Sequence, residues 1–155
     1  MRLAVINNAI TLVKQLAFSL IELLIVILIL AILSAIVYPN YQHYVLKAHR
    51  SDAKSTLMKL AVAQEKFYNQ NLSYSSDLIS QDGLNNQTLL TVDKFYQLSV
   101  QVKYYNVDGQ DSFTIKAQAI NSQINDRDCR QLTINNLNQR NGYTEQGILN
   151  TKCWL

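Results

Sequence analysis

Residues Phe18 to Val37 (FSLIELLIVILILAILSAIV) form a run of twenty that is apolar except for two serines and one carboxylate, Glu22. About 20 apolar residues suffice to cross a bilayer as a helix, so this stretch limits the chain to a membrane-inserted, helix-packed or processed origin. A glutamate five residues into the run is costly in lipid, though less so near an edge than at the centre. Any reading of this chain has to say what Glu22 is paired with.

Three readings compete. A secretory signal peptide needs a small-residue cut after the apolar core; Leu33-Ser34-Ala35 is a poor one and leaves Glu22 inside the core. A plain single-pass anchor has the same difficulty. A cut between Ala17 and Phe18 gives Phe18 a free amine one helical turn from Glu22, and residues four apart share a helix face. The cation could belong to the same chain or to a neighbouring copy. In the second case Glu22 sets register, because a subunit entering an array neutralises its buried charge only at the right axial step.

AFSLIELLIVILILAILSAIVYPNYQHYV resembles the N-terminal signature of the type IV pilins over roughly thirty residues. The resemblance implies that a prepilin peptidase cuts between Ala17 and Phe18 and N-methylates Phe18. Ser19, Leu20, Ile21 and Glu22 match the motif position by position, with Glu22 as the assembly residue. Ala17 stands where the family strongly prefers Gly. The leader, residues 1–17, is longer and less basic than the commonest leaders of the family.

Pro39 is the only proline, and inside a helix it removes one hydrogen bond and crowds the carbonyl of Ala35, so a kink is expected there. Beyond it, Leu46, Ala53, Leu57, Leu60, Ala61, Gln64, Phe67 and Tyr68 recur at three- and four-residue steps. Lys47, Arg50, Lys54, Lys59 and Lys66 fall mostly elsewhere, which predicts a solvated face. A single helix from Phe18 to about Asn69 would be roughly 80 Å long. The expected fold class is α+β, the lollipop of a pilin: a long N-terminal helix, apolar then amphipathic, packed on a small antiparallel sheet. The segments are a leader (1–17), a membrane or filament-core helix (18–37), the amphipathic half (38–70), a polar αβ-loop (71–93) and a sheet with a C-terminal loop (94–155).

Alternation in KFYQLSVQV and DSFTIKAQAI, joined across Asp108-Gly109, predicts a hairpin. CRQLTINNL supplies a third strand with Leu132 and Ile134 facing inward, and NQRNGYTEQG reads as a turn and loop; three or four strands in all are expected. Cys129 and Cys153 are paired if the chain is exported. The pilin resemblance implies the same, a C-terminal disulfide loop, and FYNQNLSY, DRDCRQLTINN and the closing CW are most similar to the minor-pilin subgroup labelled PilE.

Arg2 and Lys14 precede Phe18, so the chain beyond carries 12 basic against 11 acidic side chains. That balance argues against strong general affinity for nucleic acid without excluding a local patch. Lys103 with Tyr104 and Tyr105 is the candidate for a nucleic-acid or adhesive contact. Tyr38, Tyr41 and Tyr44 fit a membrane-interface belt. His43 and His49 point to different helix faces, the cysteines are not C-x-x-C, and no catalytic or phosphate-binding motif occurs. Asp108, Asp111, Asp126 and Asp128 read as turn residues rather than calcium ligands. No cofactor, metal or catalytic residue is expected.

The reading is thus a structural subunit, a minor pilin, held in the bacterial inner membrane and then assembled into an extracellular pilus. Its implied partners are other pilin subunits, prepilin peptidase and the pilus assembly platform, with DNA a further one. Adhesion, twitching motility and uptake are the roles such filaments carry. The alternatives are a type II secretion pseudopilin, a DNA-uptake (competence) pilin, an unprocessed single-pass protein and an ordinary secreted protein.

Overall fold

The computed structural model describes residues 19–104 and 111–155. The leader, the Ala17–Phe18 bond, Tyr105 and the Asp108-Gly109 turn lie outside the described residues. The chain forms two compact units whose boundary falls between Asn40 and Tyr41.

Helix α1 (Leu20–Asn71) runs through Pro39 without a break in assignment. In the first unit its large apolar side chains touch little of their own chain; Leu24 and Ile25 are 48 % exposed and Leu20 80 %. The segment is apolar all round, so it has no face on which to fold back. Asn40 Nδ2 donates to Ile36 O at 3.2 Å, close to the turn that Pro39 deprives of a donor.

The second unit begins on the same helix. Ala53, Leu57, Leu60 and Gln64 are buried on one face, as their three- and four-residue spacing predicts. The helix ends where Leu72 takes a left-handed conformation (φ 55°) and its N–H returns to Tyr68 O at 2.8 Å. That is the αL stop, here without the usual glycine. Gln64, with no exposed surface, holds the following loop as a strand would: its Nε2 donates to Ser75 O (2.6 Å) and its Oε1 accepts from Ser75 N–H (2.9 Å).

Four antiparallel strands follow in the order β1 (Tyr96–Lys103), β2 (Ser112–Ala119), β3 (Gln131–Asn135) and β4 (Arg140–Tyr143). The inner face carries Tyr96, Leu98, Phe113, Ile115, Leu132 and Ile134, all nearly inaccessible, against the buried helix face. This is the α+β arrangement expected from the alternation. One part differs: RNGY, read as turn and loop, is β4. Its strand pattern is hidden because it is short and largely polar, and because its inward position is Gly142. A Cβ there would lie 2.3 Å from Cys153 Cβ, so only glycine fits under the disulfide. The β3–β4 turn is held by Asn135 Oδ1, which accepts from Leu137 N–H and Gln139 N–H.

Cys129 and Cys153, 24 positions apart in the chain, are bonded, with Cα atoms 5.6 Å apart. A loop of this size restricts the unfolded chain by about 3 kcal/mol, useful to a small head of modest core. A 3₁₀ turn, Thr151–Trp154, carries Cys153, and Trp154 Nε1 donates to Asn141 O at 2.9 Å.

Candidate functional site

Two places hold the chemistry. The first is the start of α1. Ser19 is the residue before the helix and Glu22 its third residue, the S-x-x-E spacing of a capping box. Glu22 Oε2 accepts from Ser19 N–H at 3.2 Å, and a carboxylate in the first turn also complements the helix dipole. Sequence reasoning looked to an amine and passed over this local partner, although SLIE spells it out. Glu22 Oε1 makes no bond among the described residues. The structure thus shows one oxygen of the group engaged by Ser19.

The second place is where the amphipathic half of α1 meets the β2–β3 connection, just ahead of Cys129. A short 3₁₀ helix, Asn121–Asn125, presents Gln123, and Asp126 follows it. Asp126 is 2 % exposed and is gripped by Arg50 in a fork: Nε to Oδ2 at 2.5 Å and Nη2 to Oδ1 at 2.6 Å. Asp126 Oδ1 also accepts from Cys129 N–H at 3.1 Å, so the pair reaches the disulfide. Gln123 Nε2 lies 3.0 Å from Tyr96 Oη, 3.0 Å from Asp126 Oδ2 and 3.2 Å from Leu46 O, while Gln123 Oε1 accepts from His49 Nδ1 at 2.9 Å. His49 stacks on Phe95 with ring centroids 3.7 Å apart.

This corrects the solvated-face expectation for Arg50, whose side chain is only 20 % exposed. Burial alone would lower its pKa, but the hydrogen bond and charge of Asp126 outweigh that and hold it above the ordinary value. Burial, then the charge of Asp126, push Tyr96 above its ordinary range, so its hydroxyl stays protonated. Lys54 is also partly covered; burial, then Arg50 and Lys47, lower its pKa, and its Nζ donates to Leu155 O at 3.0 Å. The cluster is satisfied internally and clamps helix, 3₁₀ turn and disulfide loop together. Nothing in the spacing of Arg50 and Asp126, 76 positions apart, points to their meeting.

The remaining candidates are dispersed. Tyr104 is 55 % exposed and donates to Tyr74 O at 3.1 Å, beside exposed Lys103. Tyr38, Tyr41 and Tyr44 are 66, 60 and 73 % exposed. Arg127 and Arg130 both approach Glu145, at 3.8 and 3.0 Å.

Residues 39–133 match the family described as type IV minor pilin ComP, DNA uptake sequence receptor. The chain belongs to the ComP family of type IV minor pilins. Residues 12–38 match the prokaryotic N-terminal methylation motif, which covers Ala17, Phe18 and Glu22. The family is one of structural pilins, so the minor-pilin reading of the C-terminal half is borne out. The type IV major pilin protein PilA of Myxococcus xanthus (strain DK1622) is 41 % identical over 58 residues, covering 37 % of this chain and 26 % of that protein. The prepilin peptidase-dependent protein D of Escherichia coli (strain K12) is 50 % identical over 52 residues, 34 % of this chain and 36 % of that one. The match thus spans about a quarter to a third of these curated relatives. A solved type IV pilin from Shewanella oneidensis aligns at 24 % identity and TM-score 0.43, over 61 % of this chain and 89 % of that one. In this type IV minor pilin, then, the apolar run falls within the methylation motif and residues 39–133 within the ComP family match.

Proposed function

We propose that this minor pilin is matured by prepilin peptidase between Ala17 and Phe18, resides in the inner membrane through its apolar helix, and joins a type IV pilus as a receptor for duplex DNA. The observation that carries the DNA reading is the match of residues 39–133 to a family described as a DNA uptake sequence receptor. The electrostatics are compatible with it and modest. From Tyr41 onward there are 12 Lys and Arg against 10 Asp and Glu, and Asp126 and Glu145 are occupied by arginines of the same head. Lys103, the last residue of β1, and Tyr104 after it are the proposed first contact. A lysine there neutralises phosphate, and a neighbouring ring adds a stacking or sugar contact.

The test is binding of fluorescent duplex DNA by the processed full chain in detergent, over a series of salt concentrations. With only a few phosphates neutralised, log K should fall against log salt with a slope of about −2 to −4. Replacing Lys103 by Gln should reduce that slope by about one. Salt-independent binding, or none at low salt, would contradict the DNA reading and leave the pilin assignment untouched.

A further inference from the structure

The outer face of the sheet carries Lys103 at one corner and, beyond it, a composition of its own. One cross-strand row reads Ser99–Lys116–Thr133–Asn141, each residue paired with the next across all four strands. The neighbouring row ends Gln131–Tyr143. Every strand residue on this face is an amide, a hydroxyl, a lysine or Tyr143; none is acidic and none aliphatic. The face is dished, with a depression of about 290 Å³ lined by Ser99, Lys116, Gln131, Asn141 and Tyr143, and with Thr133, 7 % exposed, also in its lining. The side chains of Ser99, Lys116, Thr133, Asn141, Gln131 and Tyr143 make no hydrogen bond among the described residues.

We propose that this face binds an acidic polysaccharide, a polymer of hydroxylated rings bearing carboxylates. Amide and hydroxyl side chains each offer donor and acceptor together, as sugar hydroxyls do. They are less costly to desolvate than charges, and the strands hold them in fixed positions. Lys116, central and uncompensated, is complementary to a carboxylate and gives the stronger, charge-assisted bond. Tyr143 at the rim supplies an apolar ring with a polar tip. A protein partner would need apolar or aromatic anchors at the centre of the patch, and this face has none. The face as a whole is also too wide to enter a DNA major groove: its outer strand axes are about 14 Å apart at ~4.8 Å per strand, against a groove of roughly 12 Å.

The test titrates the processed full chain in detergent with oligogalacturonate, with a neutral dextran oligomer and with duplex DNA. Oligogalacturonate should bind, and dextran should bind at least about tenfold more weakly, the worth of one charge-assisted bond. Lys116→Gln should weaken oligogalacturonate by about tenfold, and Ser99→Trp, which fills the depression, should abolish binding. Lys59→Gln, on the exposed side of α1, should change nothing, and far-ultraviolet circular dichroism checks that each variant is folded. Absence of oligogalacturonate binding, equal binding of dextran, or equal weakening by Lys59→Gln and Lys116→Gln would each overturn the proposal. So would loss of DNA binding in Ser99→Trp with glycan binding unchanged.

Discussion

Between Leu20 and Val37 the large apolar side chains are 48–80 % exposed, whereas Ala53, Leu57 and Leu60, farther along the same helix, are 0–4 % exposed. Both stretches lie in one continuous helix, so secondary structure does not separate them. The pattern does. The first is apolar on every side and carries one carboxylate at its start; the second is apolar on one face and meets a sheet of its own chain. On the proposed function the first stretch is completed outside the subunit, by lipid before assembly and by other pilin helices after it. The second is completed within the subunit. A minor pilin needs both, because a folded head must survive the change of environment around the apolar segment.

If the two regions are independent in this way, each can be broken alone. The largest effect belongs to the head. Arg50→Met strands the carboxylate of Asp126 at 2 % exposure, which should cost about 3–5 kcal/mol. Denaturant unfolding of the variant would show the loss, while membrane insertion of the apolar segment stays unchanged. A head as stable as wild type would show that water reaches Asp126 and that the clamp is not structural.

Glu22→Ala is the converse. It removes the carboxylate proposed to meet an N-terminal amine, and makes insertion into lipid easier. Incorporation into sheared filaments should fall by about tenfold or more, the worth of one paired charge, with head stability and insertion intact. Wild-type incorporation would mean that Glu22 serves only as the helix cap seen with Ser19.

The smallest effect is a pH dependence confined to the head. Burial, then the charge and hydrogen bond of Glu65, raise Tyr74 from 10.0 to about 12, and Tyr96 is raised as well. The unfolded chain ionises these phenols first. Their contribution is thus complete below pH 10 and is lost as pH rises towards 12. Spectrophotometric titration should show these two tyrosines ionising late, in step with unfolding.

What could be read in advance follows the range of the physics. The apolar run, the S-L-I-E motif, the helix face and the alternation of β1, β2 and β3 are local patterns with periods of one, 3.6 or two residues, and all are legible. The Arg50–Asp126 fork and the Gln123 hub depend on residues that meet only when the 3₁₀ turn docks on the helix. No period announces them. The environment of Arg50 is illegible for that reason, since a cation off the apolar stripe looks solvated until its partner arrives. β4 was missed because its inward residue is a glycine fitted under Cys153, so the alternation that marks a strand is absent. The capping role of Glu22 was legible and was eclipsed by the more unusual explanation of an intramembrane charge.

The central claim is that Glu22 and the apolar helix belong to a subunit matured at Phe18. Intact mass and N-terminal sequencing of the protein from sheared filaments and from membranes test it directly. The account predicts a chain beginning at Phe18 and heavier by one methyl group. A chain beginning at Met1, or near Ile36 after loss of the apolar run, would contradict it.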